Sequence, residues 1–555
     1  MDNPAAGRYR LFTMRIALSI MVCTASLSTE AVSQRADLST LLSLHQELTA
    51  LRQPIVVDGV ADYSIAAMAR QRQGLLRLRT RLDAIDPTSW PVADRIDYLL
   101  VRAQMNDLAF THRVLVPWAR DPGHYVDLIR SLPYTDTPLA DTDRSRFVVS
   151  LRAVPVILTR ARAQLTRPSP ELARMAVFAL ERSDEVNQGE PRRPRPPAGV
   201  IGWYQDLVDR LTTTHADLVP HGRAALAAVS EYRDWLVART PSMREPAGVG
   251  LIEYGWYLKN VRMVPYSVEQ VRLIGDRELA RGRTLYAIER HRNRGLPELE
   301  PVTTAEEHER RTREGERLIR EFMTTKKLLT LPGGIPDRFE TDAFFIDRSP
   351  WGGHRHFWDE ITYRDPLNNH LHASIPGHRF DGIIQRRHPR PIRRGYSDGT
   401  RSEGWGFYIE EMFLQAGLLD QRPRTRELFY IAQLKRAARI PAELRMQTGE
   451  FTLRQAIDYL IDQVPLMEEN LARYDLGIYL RQPAYGMNYT VGKAQLERLV
   501  SDRAQQLGPA FDLGAFHDEF LNAGMIPISL IRWEMTGLDD EVRALGLLAP
   551  PRTSR

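Results

Sequence analysis

Apolar residues recur at three- and four-residue spacing along most of this chain, and this spacing constrains the fold more than any other feature. Such spacing places the apolar side chains on one face of an amphipathic helix. Proline and glycine clusters interrupt the pattern, and a regular alternation of apolar and polar residues is absent. We therefore predict a predominantly helical, all-α protein, with a few short strands between Arg338 and Phe357. The periodic segments include Asp37–Leu51, Arg95–Leu108, Pro170–Arg182, Gly222–Ala238, Ser267–Arg290, Thr425–Ile440, Leu453–Ile461 and Gly492–Gln506.

Length and composition indicate a globular protein with a large core. The chain has 555 residues, of which 43% are hydrophobic and 26% are charged. Its net charge of +5 is small for this length. The sequence has no Gly-rich phosphate loop, no basic and aromatic stripe and no zinc-finger cysteine spacing, so we expect no nucleic-acid partner.

A Pro-rich stretch divides the chain without separating it into domains. Residues 190–197 read Glu-Pro-Arg-Arg-Pro-Arg-Pro-Pro, which cannot be helical and predicts an exposed loop. Periodic helices flank this loop closely. We therefore predict a single helical domain over residues 34–555, with an N-terminal helical layer to about residue 198 and a half over 199–555 that carries the candidate site.

The first 33 residues predict a signal peptide. Three arginines precede an apolar run over residues 16–25, and Ala31-Val-Ser33 suits cleavage before Gln34. The apolar run is shorter than the roughly 20 residues that span a bilayer. No later segment is long and apolar enough to do so, and we expect an exported protein, periplasmic or secreted.

Cys23 is the only cysteine, so the predicted mature chain has no disulfide. Lipid attachment at Cys23 is disfavoured, because Ile-Met-Val before it lacks the small residue that this modification usually needs.

A histidine cluster suggests a metal site. Six of the fourteen histidines fall between His354 and His388, and His372 and His378 lie at its centre. Glu403 follows on a second predicted helix. Two histidines and a glutamate on a second helix are the protein ligands of a catalytic zinc site.

The spacing of His372 and His378 does not suit an unbroken helix. Six residues leave the two side chains about 120° away from a common face. Pro376 and Gly377 lie between them, and Pro376 cannot donate the helical hydrogen bond. A helix break at this point would redirect His378 towards His372.

Other histidines and a run of arginines offer alternatives. His354 and His356 would share a face on a strand and form a rival metal pair, or serve in supporting or surface roles. His370 and His388 have no evident partner. The segment Gln385–Ser402 holds six arginines and one acid. It either borders the cleft, where it would attract carboxylate groups, or forms an ordinary solvated loop.

From about Asn368 to its end the chain resembles the bacterial family called domain of unknown function 885. The family's H-E-x-x-P-G-H-H is similar to the segment from His372 to Arg379, and its E-G-W-A-L-Y-x-E to the segment from Glu403 to Glu410. Further ordered matches occur at Arg436–Ile440, Pro483–Gly492 and Phe511–Asp518. The resemblance implies a mostly helical, metallopeptidase-like fold with a central cleft, and a zinc ion held by His372, His378 and Glu403.

The chain departs from the family pattern at the position of its catalytic glutamate and at two of its histidines. Ala373 replaces the glutamate that activates water, Arg379 replaces a histidine, and Gln447 occupies the position of another. The loss of a general base predicts a rate lower by roughly 10²–10⁴-fold. Tyr489, which could stabilise a developing oxyanion, and Arg439 of the R-A-A-R-L match remain as candidate catalytic residues.

Three hypotheses follow for the function. The first is a weakened or inactive relative of a zinc metallopeptidase that still binds metal and a peptide or small amide. The second is an active hydrolase with another base, for which Glu410, Glu411 and Glu360 are candidates. The third is a metal-free helical binding protein.

Overall fold

The computed structural model describes residues 37–57, 59–182, 197–339, 345–347 and 355–548. Helices dominate these residues, and the two strands found among them have two residues each, so the all-α prediction is confirmed. The predicted signal peptide with Cys23 and Gln34, most of the Pro-rich stretch, and His354 lie outside the described residues.

The described residues of the N-terminal part form nine α-helices and a hairpin. The helices are α1 (37–52), α2 (Ile65–Asp83), α3 (Val92–Phe110), α4 (Pro117–Arg120), α5 (Pro122–Ile129), α6 (Asp141–Gln164), α7 (Pro170–Glu181), α8 (Gly199–Thr214) and α9 (Val219–Arg239). A π-helical turn, Thr111–Leu115, follows α3 directly.

The remaining helices carry the candidate site. They are α10 (Leu251–Asn260), α11 (Val268–Arg292), α12 (Ala305–Thr325), α13 (Phe357–Thr362), α14 (Leu367–Ala373), α15 (His378–Arg386), α16 (Pro391–Arg394), α17 (Gly399–Gln415), α18 (Pro423–Gln447), α19 (Leu453–Gln463), α20 (Glu469–Arg481), α21 (Asn488–Leu507), α22 (Leu513–Asn522), α23 (Ile528–Thr536) and α24 (Asp540–Ala544).

The strands lie elsewhere than the sequence predicts. β1 (Val56–Val57) and β2 (Val60–Ala61) pair antiparallel between α1 and α2. The described residues between Arg338 and Phe357 contain no strand, so that expectation was wrong for them. Two of their backbone N–H groups donate to side chains instead: Phe339 to the carboxylate of Glu316, and Ile346 to the hydroxyl of Tyr363. A backbone donor used in this way is not available to a neighbouring strand.

The buried apolar residues fall into separate cores. One core joins the first three helices to the C-terminal half, and includes Leu41, Leu99, Trp405 and Phe520. A second core, from Tyr125 to Met243, belongs to α5–α9 alone. Helices α7 and α8, on either side of the Pro-rich stretch, both contribute to this second core. Two smaller cores surround α18.

Helices α17 and α21 cross at two glycines. A Cβ atom on Gly404 would lie 2.6 Å from the backbone of Gly492, and one on Gly492 would overlap the carbonyl oxygen of Thr400. The two backbones can approach this closely only because neither residue has a side chain. The crossing fixes the position of Glu403, the residue next to Gly404.

Buried polar contacts tie α17 to its other neighbours. Arg401 and Asp381 form a fully buried ion pair between α17 and α15, with Nη2 to Oδ1 at 3.1 Å. Further along α17, the Tyr408 hydroxyl lies 3.0 Å from His517 Nε2, and His517 Nδ1 lies 2.6 Å from the carbonyl oxygen of Leu328. Burial lowers the pKa of His517 to about 4, so its imidazole is neutral at physiological pH.

No helix in the described part of the chain combines the length and apolar character that crossing a bilayer requires.

We expect Gly492→Ala to lower the free energy of unfolding by roughly 2–3 kcal/mol, because the new methyl group must push the two helices apart. Urea unfolding followed by circular dichroism measures this change. Gly295→Ala is the matched control, since a Cβ there meets no atom within 4 Å. Equal unfolding midpoints for the two variants would show that the crossing tolerates a side chain.

Candidate metal centre

The chain breaks its helix between the two central histidines, as the sequence predicts. α14 ends at Ala373 and α15 begins at His378. A Cβ on Gly377 would overlap the carbonyl oxygen of His372, so only glycine fits at this turn. The Trp405 Nε1–H donates to the carbonyl oxygen of Pro376 at 2.8 Å, which fastens the link between the helices to α17.

The structure brings His372, His378 and Glu403 together. The two Nε2 atoms are 3.1 Å apart, and the Glu403 Oε2 atom lies 3.3 Å from that of His372 and 3.2 Å from that of His378. Tetrahedral zinc with bonds of about 2.0–2.2 Å separates its ligand atoms by roughly 3.3–3.6 Å. The three donors therefore fit a zinc ion with small adjustments. They are the one group of at least three such side chains that converges in this way within the described residues.

The remaining nitrogen of each histidine also has a partner. His372 Nδ1 lies 2.6 Å from Glu410 Oε1, and Arg436 Nη1 donates to Glu410 Oε2 at 2.8 Å. His378 Nδ1 lies 3.2 Å from the hydroxyl oxygen of Ser402. Such contacts fix the orientation of metal-binding imidazoles and direct the other nitrogen at the ion. Both rings are thus held with Nε2 towards Glu403.

The charges of this cluster favour a cation. Burial and the Arg436 guanidinium lower the pKa of His372, but hydrogen bonds to Glu403 and Glu410 outweigh them and leave it above its ordinary value. Burial would raise the pKa of Glu403, yet the two histidines hold that pKa well below its usual range. Positive charge is therefore stabilised between the three side chains. A proton and a metal ion compete for the same place.

The family motif has a glutamate at the position of residue 373, and this chain has alanine there. Residue 373, next to His372, has only a methyl group. Glu410 lies on the far side of the His372 ring, against Nδ1. Glu411 pairs with Arg281 and Lys493, and Glu360 pairs with Arg364. All three carboxylates considered as replacement bases therefore have other partners.

Tyr489 contacts the cluster, whereas Arg439 contacts Tyr489. The Tyr489 ring stacks on His372 with centroids 6.1 Å apart. The Arg439 guanidinium lies 4.4 Å from the centroid of the Tyr489 ring and donates to Asp475 at 3.0 Å. Burial and the negative charge of Glu403 raise the pKa of Tyr489 well above its usual value. Its hydroxyl therefore stays protonated and can donate a hydrogen bond.

The other histidines of the segment hold local structure. His356 accepts from the Trp358 N–H at 3.1 Å and caps α13. His370 lies 3.0 Å from the carboxylate of Glu316, and His388 Nδ1 accepts from the Arg390 N–H. The rival pair of His354 and His356 stays a prediction, because His354 is outside the described residues.

Two residues that replace family histidines occupy different surroundings. Arg379 is half-buried and directly follows His378. Gln447 is fully buried, donates to the carbonyl oxygen of Tyr479 at 2.7 Å and accepts from the Val249 N–H at 3.0 Å. Gln447 therefore connects helix ends and is not part of the cluster.

Three of the six arginines between the ligand segments face carboxylates of the protein itself. Arg390 and Arg393 both bind Asp97 of α3, and Arg401 binds Asp381. These three arginines fasten the segment to its neighbours and do not offer an open anion-binding surface.

The residues that orient the two histidines were not assigned this role from the sequence. Glu410 lies seven residues after Glu403, which is two helical turns and the same face of α17, so its place near the cluster was open to prediction. Ser402 carries no comparable signal, because its role depends on where α15 lies. The role of Gly406 also depends on tertiary packing, because a Cβ there would lie 2.6 Å from the His372 ring.

Part of the chain matches the model of a known bacterial family. Residues 362–535 match the model of the family described as "Bacterial protein of unknown function (DUF885)". This match supports the family resemblance. The matched span contains all three candidate ligands as well as Glu410, Arg436 and Tyr489. No curated protein matches the chain.

Two solved structures share the fold. One is described as a putative lipoprotein of unknown function from Shewanella oneidensis; it is 18% identical, with a TM-score of 0.66, and the match covers 90% of this chain and 98% of that one. The other, a putative lipoprotein from Colwellia psychrerythraea, is 16% identical with a TM-score of 0.66, covering 93% and 98%. At these identities the likeness concerns the fold alone.

Glu443 holds the segment that leads into α21. It is fully buried and accepts from the N–H of Ala484, five residues before Tyr489. Burial raises the pKa of Glu443 to about 8, although backbone hydrogen bonds oppose that rise. The folded protein therefore keeps this carboxyl protonated at pH values where an unfolded chain releases the proton.

We expect Ser402→Ala to weaken zinc binding about tenfold, because the His378 ring loses the contact that orients it. Competition against a fluorescent zinc chelator measures the affinity, and the unfolding midpoint should not change. Ser397→Ala is the matched control, since Ser397 lies on the same segment and its hydroxyl contacts Met525. Equal loss in both variants would contradict the role of Ser402.

Glu443 should also make stability depend on pH. In an unfolded chain the Glu443 carboxyl loses its proton near pH 4.5. The contribution of Glu443 to the free energy of unfolding should therefore fall as pH rises from about 4.5 to 8. The slope is on the order of 1 kcal/mol per pH unit. Glu443→Gln should flatten this slope in urea unfolding across the window, while Glu321→Gln, at an exposed position, should leave it unchanged. An unaltered slope in Glu443→Gln would refute the assignment.

Proposed function

We propose that this chain is an exported, zinc-binding protein with a metallopeptidase-like centre of weak hydrolytic activity. One observation carries the proposal: three donor atoms converge at separations of 3.1–3.3 Å, and the other nitrogen of each histidine is already engaged. An accidental cluster of histidines has no reason to have both rings fixed in this way.

A zinc ion at this place would supply Lewis acidity, polarising a substrate carbonyl and activating water. The chain's own residues contribute binding and orientation. His372, His378 and Glu403 would hold the ion, and the Tyr489 hydroxyl would be available to donate to a substrate oxygen. A peptide or a small amide is the substrate class that such a centre suits.

The weak activity follows from residue 373. Alanine cannot accept the proton that water must lose, nor return it to a leaving amine. Loss of such a group costs roughly 10²–10⁴-fold in rate. The three carboxylates considered as its replacement have partners of their own, which favours weakened catalysis over an alternative base.

Export is proposed on two grounds. The basic, apolar and small-residue order of the first 33 residues is typical of a signal peptide. The two solved structures compared above are described as putative lipoproteins. Their description makes lipid attachment at Cys23 an alternative to cleavage before Gln34.

Metal analysis tests the proposal directly. The purified chain should bind about one zinc ion, and His372→Ala and His378→Ala should each abolish that binding without unfolding the protein. His291→Ala, at an exposed histidine, should bind zinc normally. A chain that stays metal-free in excess zinc would leave the third hypothesis, a helical binding protein.

We expect Ala373→Glu to raise peptide hydrolysis by the zinc-loaded protein by at least tenfold, because it restores a proton acceptor beside His372 and changes no ligand. Turnover of a panel of model peptides measures this gain, with Ala373→Gln as the matched control of equal size and no basicity. If the unaltered protein already turns over peptides at about 1–10³ per second, another residue is the base.

A further inference from the structure

An apolar surface lies at the turn between α1 and α2. Ile55 is 52% exposed, Val56 61%, Val57 45% and Ile65, the first residue of α2, 83%. β1 presents side chains on both of its faces to solvent, whereas Val60 of β2 is buried. The hairpin therefore packs on the protein through β2 and projects β1 outward.

Helix α6 extends this surface. A Cβ on Gly59, in the hairpin turn, would overlap a methyl group of Val149, so the hairpin lies directly on α6. Val149 and Val156 are exposed and seven residues apart, which places them on one face of α6. We call the apolar tip the six residues Ile55, Val56, Val57, Ile65, Val149 and Val156.

The surroundings of the apolar tip are basic. α2 carries five arginines and one aspartate, and α6 carries five arginines and two aspartates. Six of these ten arginines form ion pairs with acids of the protein. Among the described residues, Arg72 and Arg160 form none. Arg72 lies seven residues after Ile65, and Arg160 lies four residues after Val156, so each shares a helix face with a residue of the apolar tip. An apolar patch rimmed by arginines suits a lipid surface with negative headgroups, since aliphatic groups enter the bilayer while guanidinium groups meet phosphates.

The length of chain before α1 is compatible with a position of the apolar tip at a membrane surface. α1 is about 24 Å long, and its far end is the start of the described chain. Asp37 lies fourteen positions after Cys23, and this length of chain can span up to about 46 Å. A chain held at a membrane by this segment could therefore still place the apolar tip, at the other end of α1, on the same membrane.

We propose that the apolar tip docks on an anionic lipid bilayer. The inference does not rest on the zinc centre, because none of its residues belongs to the metal cluster. The docking is peripheral: the hairpin and the first turn of α2 enter the headgroup region, and Arg72 and Arg160 contact phosphate groups.

Vesicle sedimentation tests this proposal on the chain that begins at Gln34, which retains every described residue and lacks the apolar run of the leader. The chain should bind vesicles of phosphatidylcholine mixed with phosphatidylglycerol, and bind pure phosphatidylcholine much less. The double variant Val56→Ser, Val57→Ser should bind the mixed vesicles about tenfold more weakly. The matched control is the double variant Leu273→Ser, Ile288→Ser, which alters two exposed aliphatic residues of α11 and should bind like the parent.

Three results would overturn the proposal. One is a parent chain that does not bind the mixed vesicles. Another is equal binding by the parent and the tip variant, or an equal loss in the control. The third is a parent chain that sediments as a dimer while the tip variant is a monomer, because the surface would then bind a second copy of this chain.

Discussion

The crossing of α17 and α21 at Gly404 and Gly492 sets the geometry of the candidate centre. Glu403 precedes one glycine, and Tyr489 lies three residues before the other, so contact between the two backbones carries both side chains to the cluster. The crossing is tight because two Cα hydrogens meet where side chains would otherwise stand. Any widening would separate the carboxylate from the histidines, and the hydroxyl of Tyr489 from the place a substrate would occupy.

The two histidines reach that crossing from a broken helix, which needs more support than a continuous one. Trp405 holds the link through Pro376, and the buried pair of Arg401 and Asp381 holds α15 against α17. A buried ion pair is a weak source of net stability, but removing one partner leaves an uncompensated charge and costs about 3–5 kcal/mol. The pair therefore acts mainly by fixing one arrangement of α15.

The sequence predicts the local features of this molecule well and the distant contacts poorly. Helical periodicity is a property of neighbouring residues, and it correctly indicates the fold class. The break at Pro376 and Gly377 is also local. The hairpin at Val56–Ala61 shows no alternation, because strands of two residues are too short for it. Its one local signal, Asp58-Gly59 between two apolar pairs, was not used. The separate core of α5–α9 and the contact between Ser402 and His378 depend on tertiary packing, which periodicity does not describe.

The positions of Ala373 and Gly406 bear differently on the three donor side chains. Ala373 orients neither histidine, so a change at this position can remove the proton acceptor and leave all three donors in place. Gly406 is different, because a Cβ there would collide with the His372 ring, and the related family motif has alanine at this position. The ring keeps its place through Glu410, whose carboxylate is shared with Arg436, so His372 receives only part of that negative charge. The donor set is therefore held by its surroundings and not by the residue that hydrolysis requires.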